Sequence, residues 1–146
     1  MREPVDTNVV LRFLVEDRDD PPPEFAGVFR FFDALERGEV TAMLPSMVLF
    51  QTYFVLTSYY KVSRAEAALK LSTLLDLRGL EVPERQVLRG CLYTLIERPV
   101  DLVDAYLAAL CRSRGNPGVY SYDKGLTALG LSLLAVNDDE TQEGIS

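Results

Sequence analysis

Residues 101–124 read DLVDAYLAALCRSRGNPGVYSYDK, and this stretch decides the fold class. Leu102, Ala105, Tyr106, Ala109 and Leu110 recur at helical spacing, which predicts a helix from Asp101 to Arg114. Gly115-Asn116-Pro117-Gly118 is a cluster of turn formers. Val119 to Tyr122 is a short run of strand formers, and Asp123 follows its carboxyl end. Helix, turn, strand and then a carboxylate is the repeating unit of an α/β protein.

The rest of the chain repeats the alternation in both directions. Leu131 to Val136 reads as a last strand, after a short helix from Lys124 to Leu129. Upstream, Arg85 to Arg98 is helical and Pro99 ends it. Leu80 to Pro83 is a brief strand. Ser63-Arg64-Ala65-Glu66 has capping-box spacing and starts a helix expected to end near Gly79. Val40 to Leu44 is a strand candidate, and Pro45 and Ser46 then open a helix to about Tyr60. Phe25 to Arg37 is helical and stops at Gly38. Asp17 to Pro23 is a loop, because its three consecutive prolines do not fit a helix interior. Val9 to Val15 reads as a buried helix, preceded by a strand end over Val5 to Asn8. The expectation is one domain over residues 1–136, an α/β fold with a mostly parallel sheet covered by helices on both faces, and a polar tail over 137–146.

Composition narrows the chemistry. The 146 residues carry a net charge of −7 and contain no histidine. A Ser-His-Asp or Cys-His nucleophile is therefore excluded, and so is a histidine-bound zinc. Acid–base or metal chemistry has to run on carboxylates. The acidity argues against nucleic-acid binding through a broad basic surface, but a bound cation reverses the local field of an acidic pocket. Cys91 and Cys111 lie in apolar runs and read as reduced core thiols. No basic region followed by an apolar one opens the sequence, so no signal peptide is expected. Ala42 to Tyr60 is interrupted by Pro45, Ser46, Gln51 and Thr52 and reads as a strand followed by a helix rather than a membrane span. The expected location is the cytoplasm.

Three aspartates fall where α/β proteins bind ligands, outside the carboxyl ends of strands. Asp6 and Asp123 end predicted strands, and Asp104 sits in the first turn of the helix that begins at Asp101. Carboxylates gathered in a cleft repel one another unless a cation neutralises them, and oxygen-only ligands suit Mg2+ or Mn2+. The chemistry implied is metal-assisted phosphodiester hydrolysis. Each aspartate also has a structural explanation: Asp6 as a turn or helix cap, Asp104 as a first-turn acid beside Asp101, Asp123 as a surface turn. Spacing alone leaves these readings open.

The ordered segments Val5-Asp6-Thr7-Asn8-Val9, Leu44-Pro45-Ser46-Met47-Val48-Leu49-Phe50-Gln51, Asp101-Leu102-Val103-Asp104-Ala105-Tyr106-Leu107 and Val119-Tyr120-Ser121-Tyr122-Asp123-Lys124 resemble the PIN-domain ribonucleases, particularly the VapC-like toxins of bacterial toxin–antitoxin pairs. The resemblance spans residues 5 to about 135 and rests on the order of the set, since no single motif is specific. It implies a three-layer α/β/α fold around a central, mostly parallel sheet of four to five strands. It implies Asp6, Asp104 and Asp123 as catalytic and metal-binding carboxylates for Mg2+ or Mn2+. Asn8 would support the site, Asp101 would chiefly cap its helix, and Lys124 stands beside the pocket. RNA is the implied substrate, with an antitoxin and a second copy as implied partners. The sequence departs from the pattern at Gln51, where the family usually carries a glutamate. An amide keeps one carbonyl oxygen but no charge, and it is no general base.

Two further readings compete. In the first, the same fold is a degenerate, non-catalytic module that binds RNA or protein. In the second it is a receiver-like signalling domain, which needs an aspartate ending a mid-chain strand; Ser63 to Leu77 reads as helix there and offers only Asp76. The aromatics Tyr53, Phe54, Tyr59 and Tyr60 share the helix of Gln51. They read mostly as core, with a dimer interface or base stacking as alternatives.

Overall fold

A computed structural model describes residues 2–136. The expected tail, 137–146, lies outside the described residues. Local punctuation sets most element boundaries. Helix α1 (Thr7–Val15) begins at Asp6, whose carboxylate accepts from the Thr7 N–H at 2.7 Å. Helix α2 (Gly27–Arg37) ends at Gly38, which adopts the left-handed φ of 76° that a residue without Cβ takes most easily. The expected start at Phe25 shifts, because Pro23–Phe25 forms a short 3-10 turn first. Strand β1 (Ala42–Met43) leads into α3 (Ser46–Ser58). Helix α4 (Arg64–Ser72) is capped by the Ser63 hydroxyl, which accepts from the Glu66 N–H at 3.1 Å. It ends earlier than expected, in a 3-10 turn over Thr73–Asp76. Strand β2 (Leu80–Glu81) precedes α5 (Arg85–Glu97), and α6 (Leu102–Arg114) ends at Gly115, again left-handed. Strand β3 (Gly118–Tyr120), a 3-10 turn (Lys124–Leu129) and β4 (Ser132–Leu134) follow.

The strands depart most from expectation. β1 pairs with β2 and β3 with β4, both in parallel, and Pro4 forms one further parallel bridge to Met43. The architecture is α/β, but the described residues form two separate two-stranded ladders and no single sheet of four to five strands. Thr7 and Asn8, expected to close a first strand, belong to α1 because Asp6 caps the helix one residue earlier. The far side of the Pro4 segment finds no ladder partner among the described residues. Proline supplies no N–H there. β3 and β4 have little apolar face to merge with it: Tyr120 and Leu134 are exposed, as is Ser132.

Burial follows the same division. The main core gathers Val10, Leu35, Leu44, Leu49, Leu56, Leu71, Leu75, Leu88 and Leu92 from α1 to α5, with Leu102, Ala105 and Ala109 of α6. Each such leucine contributes about 1.5–3 kcal/mol. A smaller cluster joins Ala108 and Cys111 of α6 to Leu126 and Leu131. Among the described residues α6 alone supplies both clusters. Both cysteines are free and buried, and burial pushes the Cys91 thiol up to about 12. No helix among the described residues is long and apolar enough to cross a membrane.

Candidate active site

Asp104 stands in the first turn of α6, half-buried, with no side-chain hydrogen bond among the described residues. Its carboxyl is raised above the usual carboxylate range, first by desolvation and then by the negative charges of Asp123 and Asp101. Asp101 and Asp104 at the start of α6 and Asp123 beyond β3 therefore share one electrostatic neighbourhood. Asp123 is exposed and caps the following 3-10 turn, accepting from the Gly125 N–H at 2.8 Å through Oδ1.

Asp6 is exposed and caps α1 through Oδ1. Asn8 is exposed and lines a cleft of about 590 Å3 with Arg12, Phe25 and Phe31, which holds none of the three aspartates. Gln51 is exposed on α3 and Lys124 is exposed beside Asp123.

Asp101 corrects an expectation. It occupies the N-cap position of α6 with extended backbone, yet its side chain makes no cap bond. The carboxylate pairs with Arg64 at 3.2 Å instead. Arg64 was not foreseen as part of the site. The available signal was its position: a cation in the first turn of α4 opposes the helix dipole and so needs another reason to be there.

The donor set suits a hard divalent cation in kind, since it offers oxygen ligands only. It does not yet suit one in placement. Among the described residues no group of three or more Asp, Glu, Cys or His stands close enough to hold a metal ion.

Compared with known protein families, residues 5–130 match the PIN domain. The chain belongs to the PIN domain family. PIN domains are typically nucleases and generally use divalent metal ions. No curated protein and no solved structure matches this chain.

Proposed function

We propose that this chain is a metal-dependent endoribonuclease that hydrolyses RNA phosphodiesters at a pocket of Asp6, Asp104 and Asp123, with Mg2+ or Mn2+ as cofactor. The observation that carries the reading is Asp104: a half-buried carboxylate without a hydrogen-bond partner among the described residues, crowded by two others inside a family of typical nucleases. Asp6 and Asp123 each commit Oδ1 to a helix cap. Oδ2 is left for a cation, and the cap bond fixes the direction of the side chain. Lys124, exposed next to Asp123, would meet a phosphate oxygen there. A divalent cation held by these carboxylates would supply Lewis acidity to phosphodiester hydrolysis. As a VapC-like toxin the protein would be silenced by a cognate antitoxin and would pair with a second copy in the cytoplasm.

A second reading is favoured by Gln51 and by the unassembled ligand set: a degenerate PIN domain that binds RNA or protein without cleavage. Incubation with single-stranded and structured RNA in magnesium, manganese or EDTA, beside Asp6→Asn and Gln51→Glu variants, separates the two. Metal-dependent cleavage lost in Asp6→Asn supports the nuclease. A wild type inert in both metals, with activity gained by Gln51→Glu, supports the degenerate module.

A further inference from the structure

Beside Asp104, between α3, α4 and α6, lies a cleft of about 440 Å3 lined by Tyr53, Phe54, Thr57, Arg64, Asp101 and Asp104. Its size falls in the range of small-molecule sites, about 300–1,000 Å3, and is too small for a duplex. Three features of the cleft point to a ligand. Phe54 is a large aromatic left 48% exposed, braced edge-on by the Tyr53 ring at 5.7 Å. The Tyr53 hydroxyl is buried with no hydrogen-bond partner, on a residue only 3% exposed. Such a group is costly unless something satisfies it. Burial chiefly raises its pKa, and Arg64, the buried Cys91 and Asp101 act on it less strongly. Among the described residues Arg64 is held by Asp101 at 3.2 Å and the partly buried Val100 carbonyl at 3.3 Å. An exposed ion pair contributes little, so its guanidinium is readily exchanged onto a stronger acceptor. A phosphate is that acceptor, because its oxygens match the guanidinium fork.

We propose that this cleft is a nucleotide subsite that takes one unpaired nucleotide of a single strand, with its base against Phe54, its phosphate on Arg64 and the adjoining phosphate beside Asp104. An aromatic face, a cation and an unused donor in one small cleft are what a nucleotide requires. A second copy of the chain packed over Phe54 would use the ring alone. The subsite rests on the nuclease reading for its catalytic meaning, but binding is measurable without it.

The test is an NMR titration of the protein with nucleoside 5′-monophosphates in magnesium, run beside RNA cleavage kinetics for wild type, Phe54→Leu and Arg64→Ala. Melting curves establish that both variants fold. The expected result is amide shifts confined to residues of this cleft, with affinity for the nucleotide and KM for RNA each weakened about tenfold in both variants, and kcat little changed. Cleavage with unchanged KM in both variants, and no shifts in the cleft, overturns the subsite and leaves the nuclease standing. Nucleotide binding at these residues without cleavage supports the subsite while the nuclease reading fails. A Phe54→Leu protein that dissociates from dimer to monomer with nucleotide affinity intact overturns the subsite in favour of an interface between copies.

Discussion

The carboxylates of Asp104 and Asp123 are brought together although they lie on either side of the turn between α6 and β3, and the Asp104 proton is held more tightly as a result of desolvation first and of this neighbour second. The sign of the linkage follows from the raised folded-state value. The stabilising contribution is fully present below the unfolded value, about 3.9, and is lost as pH rises through the folded one. At neutral pH the ionised Asp104 therefore opposes folding. Without metal, Asp104→Asn should melt above wild type at about pH 7 by a fraction of a kcal/mol, and the gain should vanish below about pH 3. Identical melting at neutral pH would refute the crowding.

Divalent cations should act on the same repulsion. Saturating magnesium or manganese is expected to raise the melting temperature, by about 2.7 kcal/mol of stability at a hundredfold excess over Kd. Asp104→Asn and Asp123→Asn should remove the response. Gln51→Glu should strengthen it severalfold, because affinity follows ligand charge. Calorimetric titration reads this directly, and unaltered affinity in all three variants would sink the assignment.

Tyr53→Phe removes a hydroxyl that is buried and unpaired. The ring and its packing stay, so stability should rise by about 1 kcal/mol rather than fall. A loss of that size in chemical denaturation would mean that the hydroxyl is satisfied in the folded protein.

Gly79 is fixed by close approach. A Cβ there would meet the Val40 carbonyl oxygen at 2.0 Å, while the Gly79 N–H donates to Leu35 at 2.7 Å and its carbonyl accepts from Ala42. Gly79→Ala must push β1 away from β2, so a loss of about 4 kcal/mol or more is expected. A denaturation midpoint like that of wild type would show that the turn yields easily.

Helix ends were legible because their signals are local. Gly38, Gly115 and Ser63 each act within a few residues of their own position. The later strands were legible in approximate place but not in pairing, and the first was misplaced, since Thr7 and Asn8 belong to α1. Runs such as Val119 to Tyr122 announce extended chain, yet only the tertiary arrangement decides which edges meet, and here the Pro4 segment and β3 do not. The same limit applies to the site. Asp104 lies at the start of α6 and Asp123 beyond β3, so their mutual influence is set by how these elements pack and not by spacing in the sequence. Asp101 reads as a cap from its spacing, but Arg64, 37 positions away by numbering, redirects it across space.

Among the described residues α6 alone contributes buried side chains to both hydrophobic clusters, so the aspartates lie on either side of a seam. Asp6 caps a helix of the larger cluster and Asp123 a turn of the smaller. Whatever grips both would tie the two clusters together and restrict motion between them. Occupancy should therefore be visible as slowed amide exchange over Gly118–Leu134, with little change in the larger side. The smaller side would then be a sensor of the site's state as well as a wall of it.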